Sequence, residues 1–157
     1  MSSSILLISI NENMRNLLQK CKLNYKLLPV YVIPQKYSEY VKSGIELRND
    51  TNCYTYKKIK YFEPYYEDCT GNEYTNNKIY INKGQNLKRS LCIGLSLAFA
   101  ITNLLEKFSN KFNVVLSYNG IEFIVSFYCI RNSEEWLIKD LDFYLEEAIF
   151  VITTKSN

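Results

Sequence analysis

Histidine is absent from all 157 residues. That removes the commonest general base, the commonest metal ligand and the usual physiological pH switch together. Ser-His and Cys-His nucleophiles are excluded, and any enzyme would have to work with carboxylates, Lys, Tyr or Cys alone. The chain contains no Cys-x-x-Cys pair among Cys21, Cys53, Cys69, Cys92 and Cys129. Without that spacing, and without histidine, no zinc site is expected, and the thiols are expected to be reduced. Proline and glycine are scarce, three and five residues, which leaves no Gly-rich phosphate loop. The residues around Lys83, Gly84 and Asn86 read as a plain helix start. The longest apolar stretch, Leu91 to Leu105, is interrupted by Gly94, Ser96, Thr102 and Asn103 and is expected to fall short of a membrane span. Residues 1–10 carry no basic run and are too short an apolar segment for a signal peptide. A cytoplasmic protein with no membrane contact and no cofactor is expected.

Aromatic residues are plentiful, with 14 Tyr and 8 Phe, and the composition is 47% apolar and 22% charged. That is globular composition at a length suited to one domain. The net charge of +3 is unevenly placed. Residues 1–110 hold 15 basic and 9 acidic side chains, whereas residues 111–157 hold 4 and 7. The basic residues are scattered and form no stripe that would demand nucleic acid.

The clearest local signal is Asn119-Gly120, a two-residue hairpin turn between alternating segments. With Tyr118 opposite Ile121, one face collects Phe112, Val114, Leu116, Tyr118, Ile121, Phe123, Val125 and Phe127. The other collects Asn113, Val115, Ser117, Glu122, Ile124, Ser126 and Tyr128. The pattern predicts a half-buried antiparallel hairpin whose apolar face contributes about 12–24 kcal/mol gross.

Elsewhere the periodicity predicts a strand over residues 5–10 and a helix over 12–21 with Met14, Leu17 and Leu18 inward. An edge strand or extended segment is expected over 27–33, and one or two helical turns from Lys36 to Ser43 ending at Gly44. Residues 45–52 read as a loop. Strands over 54–62 and 78–81 flank an irregular stretch and could close one wide hairpin. A long apolar helix is expected over 86–108, a second over 134–148 with Leu137, Leu141, Tyr144, Leu145 and Ala148 inward, and a closing strand over 149–153. These elements predict an α+β fold: a single domain in which a twisted, mostly antiparallel sheet packs on the long apolar helix.

Two acidic surfaces stand out as candidate binding sites. The first carries Glu63, Tyr65, Tyr66, Glu67, Asp68 and Glu73, with no basic residue between Tyr61 and Tyr74. Rings supply buried anchors and carboxylates match a basic partner. The second is the acidic face of the expected last helix, with Glu134, Asp140, Asp142 and Glu146. Trp136, the only tryptophan, reads as a core residue stapling that helix to the sheet. Tyr54, Tyr56, Lys57, Lys58, Lys60 and Tyr61 interleave rings with positive charge, which is the composition of a single-strand nucleic-acid site. No nucleophile and base converge in the sequence, so no catalytic residue is assigned.

Phe127-Tyr128, Arg131, Glu135-Trp136-Leu137, Asp140-Leu141, Tyr144 and the apolar run Ile149 to Ile152 resemble the ending of small bacterial immunity proteins encoded beside contact-dependent growth-inhibition toxins. The resemblance covers the C-terminal third. It implies a cytosolic, non-catalytic protein that binds a cognate toxin domain, of nuclease type, and occludes its active site. The acidic surfaces would then form the interface, and the alternative is a small nucleic-acid-binding domain using residues 54–61. Oligomeric state is left open.

Overall fold

The structure, a computed structural model, describes residues 6–29, 33–84 and 86–155. Residues 5, 30–32 and 85, which belong to three of the segments predicted above, lie outside the described residues.

The chain reverses at Gly120-Ile121, one residue later than expected. The Asn119 N–H donates to the Glu122 carbonyl (3.4 Å), and its side-chain oxygen accepts from the N–H groups of Ile121 and Glu122 at 2.9 and 3.0 Å. Gly120 and Ile121 therefore form the tip, and Gly120 adopts φ +95°, where a Cβ is disfavoured. Strands β5 (Phe112–Tyr118) and β6 (Glu122–Cys129) pair with Tyr118 opposite Phe123 and Phe112 opposite Cys129. This register differs from the expected one by two residues, a full pleat, so side chains keep their faces. Ile121 alone leaves the apolar face and is 77% exposed.

Around the hairpin, β1 (Leu7–Ile10), β7 (Ala148–Thr153) and β4 (Ile79–Asn82) complete a five-stranded sheet in the order β1-β7-β5-β6-β4. Every neighbouring pair is antiparallel. Helices α1 (Glu12–Lys20), α2 (Gln35–Ser43) and α4 (Leu87–Leu105) lie with the first face. The Asn86 side chain caps α4 by accepting from Arg89 N–H. Gly94 permits close contact with the sheet, since a Cβ there would meet Leu116 Cδ1 at 2.8 Å. By length and composition α4 could cross a membrane, contrary to expectation, yet here it is a core helix with Leu91, Leu95, Leu97, Ala98 and Ile101 buried.

Several element assignments are corrected. Residues 45–52 are not all loop: β2 (Ile45–Leu47) pairs antiparallel with β3 (Tyr54–Tyr56). The strand expected over 54–62 shrinks to β3, and it does not close a hairpin with β4, because β4 pairs with β6. Burial explains the choice: Tyr56 reaches Phe127 edge-to-face and Tyr54 reaches Phe112, with ring centroids 5.1 and 4.9 Å apart, which draws β3 onto the first face.

The irregular stretch contains a helix, α3 (Cys69–Asn76), whose residues are mostly weak helix formers. Its N-terminus is secured by Asp68, which accepts from Gly71 N–H at 2.7 Å.

The helix expected over 134–148 does not form. Residues 134–147 cross the second sheet face as irregular coil with several bends and one 3-10 turn, Leu141–Phe143. Their backbone carbonyls are claimed from elsewhere. Asn11 Nδ2 donates to Leu141 (3.4 Å) and Glu147 (2.7 Å), and Asn13 Nδ2 to Leu145 (2.9 Å). Leu137, Leu141 and Tyr144 still turn toward the sheet, but Leu145 points out, 81% exposed. The hairpin is thereby covered on both faces rather than half-buried, with Val115, Ser126 and Tyr128 enclosed beneath α3 and this segment.

Candidate functional site

Glu73 and Glu134, both assigned to acidic binding surfaces, are engaged within the fold, Glu73 fully buried and Glu134 half-buried. Glu73 is 0% exposed and accepts four hydrogen bonds: Tyr54 N–H (2.7 Å), Cys129 N–H (2.8 Å) and a bidentate pair from Arg131 at 2.7 and 2.9 Å. Those donors occupy both carboxylate oxygens and make charge burial tolerable. Arg131 also donates to the Thr70 hydroxyl (3.0 Å) and the Cys129 carbonyl (3.2 Å).

Glu134 is folded back onto the first turn of α3. It accepts from Cys69 and Thr70 N–H, both at 3.2 Å, and from the Thr70 hydroxyl, with Arg131 at 3.7 Å. A carboxylate placed on two free amides of a helix start satisfies donors that the helix cannot. Burial works against its charge, but the Thr70 hydroxyl, the two amides and Arg131 outweigh it and hold its pKa below the ordinary glutamate value. The stabilisation is therefore complete above the unfolded-state pKa and is lost as pH falls through the lower folded value. Glu134→Gln should flatten the acid side of a stability-against-pH curve below about pH 4.5, measured by urea unfolding at closely spaced pH. An unchanged curve would show that this carboxylate is not coupled to folding.

Beside this network sit Cys53 and Cys69, which form a disulfide with Cα atoms 5.9 Å apart, a separation ordinary for such bonds. The expectation that all five thiols are reduced fails for this pair. Cys21, Cys92 and Cys129 remain free and buried, and burial raises the pKa of each, that of Cys129 to about 11. Cys53, Cys69 and Glu73 place possible ligand atoms within 4.8 Å of one another. Here the sulfurs are bonded together and the carboxylate is fully engaged, so these ligand atoms are already taken.

The remaining assigned residues divide by what they touch. Asp68 caps α3, Asp140 accepts from Asp142 N–H (3.1 Å), and Asp142 accepts from Glu12 N–H (2.8 Å). These three shape the backbone. Glu63 is half-buried, with its own N–H and C=O clasped by the Asn76 side chain at 2.9 and 2.8 Å. The Asn72 side chain clasps Tyr66 likewise, at 2.8 and 2.9 Å. Tyr65 and Tyr66 are 61% and 44% exposed, and Glu67 and Glu146 are exposed. Glu67, Glu135 and Glu146 make no hydrogen bond or ion pair among the described residues.

The two acidic segments are brought together. The Tyr66 ring meets the Trp136 ring edge-to-face at 5.2 Å, and Trp136 also lies 5.5 Å from Tyr74. Gly71 leaves room for it, since a Cβ there would lie 2.8 Å from the indole. Trp136 is thus a staple: it packs on the sheet's second-face cluster as expected and also against α3, but from a segment that is not helical. Beyond it, Ile138, Phe143 and Leu145 are 49%, 69% and 81% exposed. Sequence reasoning missed Phe143 and Leu145, because a helical period turns Leu145 inward. Between this irregular segment and the sheet runs an open groove of about 490 Å³, floored by Tyr128, Val151 and Thr153 and walled by Glu134, Trp136 and Leu137.

Residues 54–61 are not assembled as a stacking platform. Tyr54 and Tyr56 are 7% and 0% exposed, which leaves Tyr61 as the only accessible ring there, while Lys58 is held by Glu39 at 2.7 Å.

The chain belongs to the Uncharacterized protein PM0498 family, which it matches over residues 9–157. No curated protein and no solved structure matches it.

Proposed function

We propose that this chain is a binding protein of the immunity kind, which neutralises a cognate toxin domain by covering its basic active-site surface. The observation that carries this reading is the meeting of two acidic, aromatic segments at the Tyr66–Trp136 ring contact, taken here as the centre of one binding face. Such a face needs apolar anchors surrounded by charge of one sign. Phe143, Leu145, Ile138 and Tyr65 supply the anchors, and Glu67, Glu135 and Glu146 supply uncommitted carboxylates. A basic nuclease-type domain fits that chemistry, and the C-terminal resemblance to contact-dependent growth-inhibition immunity proteins points to the same class. The protein acts in the cytoplasm in this reading, without catalysis and without a cofactor.

The test is titration against the toxin domain encoded beside the gene, with a mixed-sequence oligonucleotide as competitor reading. Replacing Glu67, Glu135 and Glu146 together by Lys should slow association about tenfold or more at low salt, with the effect shrinking as salt rises. Phe143→Ala with Leu145→Ala should instead speed dissociation by a comparable factor and leave the melting temperature unchanged, because both side chains are exposed. If both variants bind the toxin domain as the wild type does, this face is not the interface. If only a Lys57, Lys58 and Lys60 to Glu variant loses binding, and only to the oligonucleotide, the nucleic-acid alternative replaces this reading.

A further inference from the structure

Cys53 and Cys69 close a loop of 16 residues' separation around the first acidic segment. Between β3 and α3 that loop has no regular structure of its own. Its shape comes from α3: Asn72 clasps Tyr66 and Asn76 clasps Glu63 through paired side-chain hydrogen bonds. The far turns of α3 are held to the sheet by Glu73 and by the Tyr74 carbonyl, and its first turn is held by the disulfide at Cys69 and by Glu134 on the two amides beside it. One covalent bond therefore stands at the point where the loop, the helix and the irregular 134–147 segment meet. Cys69 is the accessible partner, half-buried, whereas Cys53 is 2% exposed. The other three cysteines are buried and their thiols shifted up by burial, so they stay out of exchange.

We propose that the Cys53–Cys69 bond is a reversible thiol–disulfide latch that sets the order of the 57–68 loop and so controls how the acidic, aromatic face is presented. The co-reactant is a low-molecular-weight thiol and its disulfide. A small-molecule thiolate attacks Cys69 Sγ, forms a mixed disulfide there and releases Cys53 as a thiolate, which takes a proton. A second thiolate attacks the small-molecule sulfur of that mixed disulfide and releases Cys69. The balance is one protein disulfide and two thiols giving two protein thiols and one small-molecule disulfide. Oxidation retraces the steps. A compartment with a reducing thiol pool makes such a bond a sensor rather than a permanent staple.

The consequence for binding rests on the function proposed above, but the latch itself is tested without a partner. Wild-type protein equilibrated in dithiothreitol buffers of graded oxidised to reduced ratio should titrate two thiols, seen by mass after alkylation at Cys53 and Cys69. Reduction should lower the melting temperature by about 6–12 °C, as expected for a loop of this length in a chain of this size. Amide exchange over residues 61–72 should quicken about tenfold or more while the β5–β6 amides stay protected. Re-oxidation should restore both. A Cys53→Ala, Cys69→Ala double variant should show the loosened exchange pattern in every buffer. Two free thiols throughout the titration, a pair that resists complete reduction in the native protein, or exchange over 61–72 that is indifferent to reduction would each overturn the latch. Should the latch pass and the toxin titration fail, the partner assignment falls alone. Should the toxin bind equally tightly in both redox states while the exchange changes, the loop is switched but the face is not, and control of presentation is overturned.

Discussion

Arg131→Ala should destabilise the protein by about 3–5 kcal/mol, the cost of leaving one charge of a buried pair uncompensated. The figure comes from Glu73, not from the arginine itself. Glu73 has no exposed surface, while Arg131 keeps about a quarter of its side chain in contact with solvent, 23%. Deleting the guanidinium removes two of the four hydrogen bonds to that carboxylate. Glu73→Gln combined with Arg131→Gln should recover a substantial part of the loss, because neither remaining group is charged. Urea unfolding of the single and double variants measures the coupling. An Arg131→Ala cost under about 1 kcal/mol, the range of an exposed pair, would show that Glu73 is not enclosed as described. The loss should be accompanied by loosening of α3, because Thr70 and the Cys129 carbonyl share the same guanidinium.

Phe123→Ala should cost about 3–5 kcal/mol, the usual range for a buried ring replaced by a methyl group. Phe123 is 0% exposed, stands opposite both Tyr118 and Ile81 in the sheet, and stacks on the Tyr118 ring at 4.3 Å. Against a total stability of about 5–15 kcal/mol, this is enough to unfold much of the population on mild warming. The paired control is Ile121→Ala, which should change stability by less than about 0.5 kcal/mol because the side chain lies at the exposed tip. A thermal or urea series in which Ile121→Ala costs as much as Phe123→Ala would restore the register with Tyr118 opposite Ile121, which buries both.

Much of the fold is legible along the chain. The alternation of residues 112–128 shows which side chains share a face, and that survives a two-residue error in register because the pleat repeats every two residues. The spacing of Met14, Leu17 and Leu18 places α1, and the apolar lines of residues 87–105 place α4. These elements are specified by residues within a turn or two of each other.

The candidate site is a different matter. Both acidic segments are visible as composition, and Tyr65, Tyr66, Glu67 and Glu146 are indeed on the surface. Which carboxylates are free was not visible. Glu73 and Glu134 look like surface acids in sequence, yet their partners are Arg131, 58 residues away from Glu73, and Thr70, 64 residues away from Glu134. Nothing local marks Glu73, and Glu134 has only Arg131 nearby, three residues before it. The misplaced helix over 134–148 has the same origin. Its periodicity is real, but a period of inward residues over a short apolar run also suits an irregular strap with one 3-10 turn, and propensity is a weak prior beside tertiary hydrogen bonds.

By itself, then, the sequence determined the class of the fold, the central hairpin with its face assignment, the long core helix and the absence of histidine chemistry. Only the tertiary structure decided that residues 134–147 form no long helix, that Cys53 meets Cys69, that Tyr54 and Tyr56 are core, and that the two acidic segments touch at Tyr66 and Trp136. The physical reason is range. Hydrophobic period and turn chemistry act between residues a few positions apart, whereas the asparagine clasps, the Glu73–Arg131 pair and the disulfide join positions that come together only after the sheet has formed.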